Sequence, residues 1–152
     1  MLSTKEIIAK YGEPGDKNLV SLTLPFPMRI AWDLKHTVTK IQCHRLIADG
    51  LFTVLSEILQ VYGVNRINEL GIDLFGGCYN FRKMRGGNDW SRHSWGIAID
   101  LDPARNGLKI GKPKAQFSKD EYKAMIDIFY KHGFVSYGRE KNYDWMHFEI
   151  AA

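Results

Sequence analysis

Two clusters of histidine and carboxylate residues carry the chemistry that this sequence can support. The first lies in the segment 91–100, SRHSWGIAID, where His93 offers an imidazole nitrogen and Asp100 a carboxylate oxygen. Both groups are common zinc ligands, and Gly96 between them permits a tight backbone turn. Residues 97–101 alternate as a strand does, so Asp100 would lie on the face opposite the apolar residues. The segment therefore indicates half of a metal site.

The second cluster lies further along the chain, in the segment 143–150, YDWMHFEI. His147 would supply a third ligand, and three protein ligands are typical of a catalytic zinc site. Asp144 or Glu149 would serve as the general base for an attacking water. Strand alternation puts Glu149 on the same face as His147, so spacing alone leaves the choice between the two carboxylates open.

Together the two clusters resemble the zinc peptidases of peptidoglycan. The shared pattern is Ser-x-His-x-x-Gly-x-Ala-x-Asp, followed far downstream by an acidic residue three positions before a histidine. That family includes D-alanyl-D-alanine carboxypeptidases and dipeptidases, and the L-alanyl-D-glutamate endopeptidases of bacteriophage endolysins, to which the chain looks most similar. The pair of motifs is specific, whereas either half alone would be a weak signal.

The resemblance implies a role for each of these residues. It implies that His93, Asp100 and His147 bind Zn²⁺ and that Asp144 is the general base. It also implies an arginine upstream of the first ligand that stabilises the substrate carbonyl. In the segment 77–86, GCYNFRKMRG, Arg82 is the better match for that arginine and Arg85 is the fallback.

Further residues near the motifs are predicted to contact the substrate or to support the metal ligands. Ser91, Trp95 and Arg85 are predicted to line the substrate groove, since aromatic walls suit a peptide or a sugar. Glu149 is predicted to orient the imidazole of a ligand. The remaining histidines are better explained without a metal. His36 is predicted to be solvated in a turn, His44 to form a structural hydrogen bond, and His132 to contact the end of a helix.

The resemblance predicts a zinc metallopeptidase that hydrolyses the stem peptide of peptidoglycan. The L-alanyl-D-glutamate bond is favoured, because phage relatives without a separate wall-binding domain most often resemble endopeptidases of that bond. A D-alanyl-D-alanine carboxypeptidase is the near alternative. A zinc-containing module that binds murein without cleaving it is the alternative from another class, and Asp144 argues against it because such a module needs no base.

Composition is consistent with one soluble domain and a wall substrate. The chain has 152 residues, 45% of them hydrophobic and 25% charged, which suits a single globular domain. Its net charge of +4 is explained as well by solubility as by attraction to an acidic polymer such as peptidoglycan. Apart from Lys109, Lys112 and Lys114 the basic residues are scattered, so no nucleic-acid partner is expected. Cys43 and Cys78 form no CxxC pair and are predicted to be buried free thiols.

The cellular location is expected from the hydropathy of the chain. The N-terminal residues lack the apolar segment of a signal peptide, and no apolar run is long enough to span a bilayer. We therefore expect a protein without a membrane anchor, monomeric and made in the host cytoplasm. It would reach the cell wall through a membrane pore that a separate protein supplies.

The resemblance implies an α+β fold, and the predicted elements that must position these residues are compatible with it. Residues 1–152 are expected to form one small domain of the Hedgehog and D,D-peptidase-like type, with helices packed on one side of an antiparallel sheet and the catalytic motifs in 76–150. Helices are predicted at 3–10, 43–62 and 118–132, the first and last with capping boxes, Ser3 with Glu6 and Ser118 with Glu121. Strands are predicted at 19–24, 28–32 and 37–41, within 72–81, and at 97–101, 134–137 and 146–150.

Overall fold

A six-stranded sheet in the order β2-β1-β3-β4-β6-β5 forms the centre of the protein. The structure is a computed structural model and describes all 152 residues. All neighbouring strands run antiparallel except one pair, β1 and β3. The strands are β1 (Leu19–Ile30), β2 (Asp33–His44), β3 (Leu74–Gly77), β4 (Ala98–Leu101), β5 (Phe134–Ser136) and β6 (His147–Ile150).

Four α-helices accompany the sheet, and two of them pack together against it. They are α1 (Thr4–Tyr11), α2 (Ala48–Leu70), α3 (Lys123–Lys131) and α4 (Tyr137–Lys141). Helix α2 contacts β1, α3 contacts β5, and the two helices contact each other. The predicted α+β class is therefore confirmed, with helices against one face of the sheet.

The register of β4 and β6 decides which side chains face away from these helices. Ile99 pairs with Phe148, and Asp100 pairs with His147. The ring of Phe148 stacks on Phe129 of α3, with centroids 4.1 Å apart. Because side chains alternate along a strand, Asp100 and His147 share the opposite face.

The sheet differs from the predicted one in two respects. The parallel pairing of Arg29 with Leu74 and of Ile30 with Phe75 makes it mixed, so a purely antiparallel sheet was wrong for that pair. Strands β1 and β2 also form one long hairpin where shorter strands were predicted. The register of the hairpin shifts between Thr23 and Met28, where Pro25 and Pro27 lie, since proline donates no ladder hydrogen bond.

Helix α2 begins and ends later than predicted. It was expected over 43–62, but Cys43 and His44 belong to β2 and the helix spans Ala48–Leu70. Gly63 was expected to end the helix; instead it adopts φ 77° and kinks the chain, which resumes helical geometry beyond it. Gly71, in the left-handed conformation, forms the actual C-cap.

The two predicted capping boxes have opposite outcomes. The Ser3–Glu6 box at the start of α1 is present. The Ser118–Glu121 box is wrong, because the Ser118 hydroxyl donates to the carbonyl of Ala115 and residues 116–118 and 120–122 form short 3₁₀ turns. Helix α3 therefore begins only at Lys123.

The two cysteines have the state that was predicted for them. Cys43 and Cys78 are buried free thiols, as predicted. Burial raises the pKa of the Cys43 thiol to about 12, so it stays protonated. None of the helices combines the length and the apolar composition needed to cross a bilayer.

Candidate metal centre

The structure brings His93, Asp100 and His147 together on the sheet face that points away from α2 and α3. Nε2 of His93 lies 3.1 Å from Oδ2 of Asp100, and Nδ1 of His147 lies 3.1 Å from Oδ1 of the same carboxylate. The candidate ligand atoms of the three residues all lie within 4.8 Å of one another. Two imidazoles and a carboxylate in this arrangement are a donor set that zinc prefers.

His93 is held by a short turn before β4. Residues Arg92–Trp95 form a 3₁₀ turn, and the Ser91 hydroxyl accepts a hydrogen bond from the His93 amide at 3.3 Å. Nδ1 of His93 lies 2.8 Å from the carbonyl oxygen of Cys78, to which it donates. This bond fixes the tautomer and leaves the lone pair of Nε2 facing Asp100.

Nε2 of His93 is a buried nitrogen that forms no hydrogen bond, because with the proton on Nδ1 it faces Oδ2 of Asp100, 3.1 Å away, as one acceptor faces another. The side chain is only 5% exposed, so water cannot compensate for it. An unsatisfied buried polar atom is costly, and native proteins rarely leave one without a function. A metal ion coordinated by Nε2 would satisfy it, so the residues present fit such an ion.

Gly96 permits the turn that links His93 to β4. It adopts φ 70°, which favours glycine. A Cβ atom at this position would lie 2.8 Å from a methyl carbon of Leu19 and 2.9 Å from the backbone nitrogen of His44. The glycine is therefore required both by its conformation and by the close approach of the β1–β2 hairpin.

His147 lies between two carboxylates. Its Nδ1 faces Asp100, and its Nε2 lies 2.9 Å from Oε1 of Glu149. Burial alone would lower the pKa of His147, but the hydrogen bonds to Asp100 and Glu149 outweigh it and raise the pKa to about 10. A metal ion would replace the proton on Nδ1 and leave Nε2–H bonded to Glu149.

The pKa values of both carboxylates, Asp100 and Glu149, are lowered by the neighbouring histidines. Burial opposes ionisation of Asp100, yet the nearby His93 and His147 hold the pKa of Asp100 below its ordinary value. Glu149 is 1% exposed, and its hydrogen bond to His147 likewise holds the pKa of Glu149 below its ordinary value despite burial. Both groups are therefore anionic at neutral pH, as a metal centre requires.

A cleft with a volume of about 330 Å³ opens over the cluster. Of the predicted site residues, only Trp95 does not line it. Basic side chains surround the opening and aromatic ones form part of its wall. The lining residues are Arg82, Met84, Arg85, Ser91, Arg92, His93, Asp100, Leu108, Lys109, Tyr137, Tyr143, Asp144, Met146, His147 and Glu149.

Asp144 reaches the cleft from a strained turn before β6. It adopts φ 52°, which is uncommon for a residue other than glycine. Its amide donates to the carbonyl of Leu108 at 2.8 Å, and its carbonyl accepts from the His147 amide at 3.0 Å. Burial raises the pKa of the Asp144 carboxyl above its ordinary value, in the direction that suits a general base.

Arg82 and Arg85 both line the cleft but differ in how firmly they are held. The Arg82 backbone is fixed to the hydroxyl of Ser94, which lies beside His93, by bonds of 3.0 and 2.7 Å. Arg82 is half-buried, whereas Arg85 is exposed near the tip of the loop. The geometry therefore favours Arg82 as the arginine of fixed position.

Of the predicted substrate-contact residues Ser91 and Trp95, only Ser91 lines the cleft. Trp95 is 1% exposed and donates its indole N–H to the carbonyl of Gly12 at 2.7 Å, so its prediction as a groove wall was wrong. It belongs to the hydrophobic core beneath the turn. Ser91 does line the cleft, but its hydroxyl accepts from the His93 amide, which gives it a structural task as well.

Tyr137 is a cleft residue that sequence reasoning missed. Its ring centroid lies 4.3 Å from that of His147. Burial and the nearby Glu149 raise the pKa of Tyr137 above its ordinary value. The pairing of Ser136 with Phe148, extended by one residue, sets Tyr137 opposite His147, so only the strand register could have revealed it.

The three histidines that were predicted to lie outside the site do lie outside it. The His44 ring bonds to the carbonyl of Tyr11 at 2.8 Å, which confirms its structural role. His36 is exposed. His132 lies at the C-cap of α3, as predicted for a helix-end residue, and also pairs with Glu57 at 2.7 Å. Asp102 pairs with Arg105 at 2.7 Å.

Fold and site together define a small α+β domain with a candidate His-Asp-His metal centre. A family model described as D-alanyl-D-alanine carboxypeptidase matches residues 85–150, which include His93, Asp100, Asp144 and His147. The chain is similar to this carboxypeptidase family over that segment, which is less than half of its length. No curated protein and no solved structure matches the chain.

Proposed function

We propose that the protein is a zinc-dependent peptidase that hydrolyses the stem peptide of peptidoglycan, with the L-alanyl-D-glutamate bond as its target. The observation that carries the proposal is the buried, unpartnered Nε2 of His93 beside Asp100 and His147. The match to the carboxypeptidase family model supports the same class of reaction.

His93, Asp100 and His147 would hold the zinc ion. When bound there, zinc would supply Lewis acidity that polarises the scissile carbonyl and activates water. The backbone carbonyl of Cys78 would orient the His93 imidazole through a hydrogen bond of 2.8 Å. The carboxylate of Glu149 would orient the His147 imidazole through one of 2.9 Å. Such outer contacts raise the basicity of the ligand nitrogens and hold them in place.

Asp144 would accept the proton of the attacking water and pass it to the leaving amine. Its half-buried carboxyl lines the cleft beside His147, and its raised pKa improves its ability to take a proton. Arg82, which also lines the cleft, would stabilise the negative charge that develops on the carbonyl oxygen.

The charge of the cleft supports an acidic peptide substrate. Four cationic side chains line it, Arg82, Arg85, Arg92 and Lys109, against three carboxylates at the metal centre, Asp100, Asp144 and Glu149. The stem peptide of peptidoglycan carries free carboxylates, which such side chains attract and orient. A cationic rim would also keep the negatively charged substrate in register over the metal centre.

The biological setting belongs to the same proposal. We propose that the protein acts as a phage endolysin, as a monomer, on host peptidoglycan. It would be made in the host cytoplasm and released to the wall through a pore formed by another protein. The resemblance of the two motifs to endolysin peptidases supports this setting.

The second candidate is a D-alanyl-D-alanine carboxypeptidase. The similarity of residues 85–150 to the D-alanyl-D-alanine carboxypeptidase family favours it. The two activities differ in the bond that is cut and therefore in the mass of the product. A non-catalytic zinc module that binds murein is the third candidate, and it would release no product.

Digestion of a defined muropeptide tests the three candidates together. The substrate carries the stem peptide L-Ala–D-Glu–diamino acid–D-Ala–D-Ala, and products are identified by mass spectrometry with and without a zinc chelator. Cleavage after L-Ala that the chelator stops supports the proposal. Release of the terminal D-Ala alone identifies the carboxypeptidase, and absence of any product from the zinc-loaded protein contradicts both enzymes.

A further inference from the structure

A second cavity lies on the far side of α4 from the catalytic cleft. Its volume is about 450 Å³, within the size range of small-molecule sites. Gly138 and Asn142 line this cavity, whereas their neighbours Tyr137 and Tyr143 line the cleft. The two cavities share no lining residue, so both can be occupied at once.

Positive charge is concentrated around this second cavity. Its four cationic lining residues are Lys112, Lys119, Lys123 and Arg139, against one carboxylate, Asp120. Four cations and one anion leave a formal charge of +3, compared with +4 for the whole chain. Cationic side chains therefore outnumber carboxylates around this concave site, hereafter the basic cavity.

The lysines of the basic cavity are not neutralised within the protein. Lys112, Lys119 and Lys123 form no ion pair, whereas Arg139 pairs with Asp127 at 2.8 Å. Like charges held close together repel, and that repulsion is relieved when an anion binds between them. The three ammonium groups are thus available to a ligand.

The floor of the basic cavity is apolar and firmly held. Phe117 and Trp145 contribute buried aromatic rings. The Trp145 indole donates to Oδ1 of Asn142 at 3.1 Å, and the same oxygen accepts from the Lys112 amide at 2.8 Å. Gly138 lies directly against the indole, where any Cβ would clash. A preorganised floor lowers the cost of binding.

We propose that the basic cavity is a binding site for a phosphate-bearing ligand. Lysine binds phosphate as a point charge, and a phosphate group of nearly two negative charges would offset the charge of +2 that the three unpaired lysines and Asp120 leave once Arg139 is paired with Asp127. The group could be free phosphate or part of an anionic wall polymer, and the chemistry of recognition is the same. The polymer would tether the protein while the catalytic cleft stays open.

A nuclear magnetic resonance titration of the full-length protein tests this proposal. Inorganic phosphate is added at constant ionic strength, with chloride as the matched salt, and the Trp145 indole N–H signal is followed; the Trp145→Phe variant assigns that signal. We expect saturable shifts confined to residues of the basic cavity. The Lys119→Gln/Lys123→Gln variant should bind at least about tenfold more weakly, since each lost charge contact weakens an anion site.

The matched control is the Lys17→Gln/Lys35→Gln variant, which removes the same charge from exposed positions outside both cavities. It should bind phosphate as the wild type does. Equal weakening in both double variants would show a diffuse charge effect and overturn the proposal. Because all four lysines are exposed, the fold should survive, and a thermal melt of each variant verifies it.

Two further ligands distinguish the sources of the phosphate group. Glycerol 3-phosphate is titrated as a monomer and poly(glycerol phosphate) as a polymer, at equal phosphate concentration. Tighter binding of the polymer at the basic cavity supports a wall polymer as the source, and equal binding supports a free phosphate compound. Absence of saturable shifts with all three ligands would overturn the proposal, whatever the outcome of the peptidase assay.

Discussion

Nε2 of His147 lies 2.9 Å from Oε1 of Glu149, two residues further along the same strand. Residues at this spacing share a face of β6, and both side chains are buried. The bond holds the proton on Nε2 and turns Nδ1 toward Asp100, so that a metal ion could replace the proton on Nδ1. A histidine and a carboxylate in this relation are the standard support of a zinc ligand.

Glu149→Gln should weaken zinc binding more than it weakens catalysis. The amide accepts the imidazole proton less strongly than the carboxylate, so we expect an affinity loss of about 10- to 100-fold. Competition with a chelator of known affinity measures it. The matched control is Glu57→Gln, which alters another His–carboxylate pair, at 2.7 Å from His132 and outside the cleft. Equal affinity loss in both variants would contradict the role assigned to Glu149.

His93→Ala and His147→Ala should each remove the bound metal. Each change takes away one of three ligands and leaves a pair that holds zinc poorly. We expect one zinc per chain in the wild type and nearly none in either variant, measured by elemental analysis after dialysis. His132→Ala serves as the control histidine. Full zinc occupancy in both ligand variants would exclude the proposed metal centre.

Asp144→Asn should abolish most hydrolysis while the zinc and the fold remain. The substitution keeps the shape of the side chain and removes the base, so turnover falls by about 100-fold or more. Hydrolysis rates and zinc content are compared with those of Glu149→Gln. If Glu149→Gln is inactive with zinc bound and Asp144→Asn is near wild type, Glu149 is the base.

Arg82→Ala should lower turnover and leave the metal content unchanged. Loss of one donor to the developing oxyanion commonly costs about 100- to 1,000-fold in rate. Arg85→Ala is the natural comparison, because Arg85 lines the same cleft but is exposed on the loop. We expect Arg85→Ala to affect the Michaelis constant more than turnover. The reverse pattern would assign the oxyanion contact to Arg85.

Gly96→Ala should destabilise the domain much more than Gly86→Ala. Both glycines adopt positive φ, 70° and 72°, so both variants carry the strain of about 1–2 kcal/mol that a side chain meets there. Only at Gly96 would the new Cβ also collide with Leu19 and with the His44 backbone. Chemical denaturation measures the difference. Equal free energies of unfolding for the two variants would contradict the packing of the turn on the hairpin.

The sequence alone determined the candidate ligands and their local spacing. His93, Asp100 and His147 could be predicted because the two motifs are specific and because alternation along a strand is fixed by backbone geometry. The short strands around them were predicted for the same local reason. The general base was assigned by resemblance, since spacing left Asp144 and Glu149 equivalent.

Only the tertiary structure decided how distant segments meet. The register of β4 on β6 sets Asp100 beside His147, and the register of β5 on β6 brings Tyr137 to the same site. Pairing between strands depends on contacts that no local pattern encodes, and for this reason the parallel β1–β3 pair and the burial of Trp95 were missed. The basic cavity likewise exists only because folding brings Arg139 and Trp145 to the lysines of the segment 112–123.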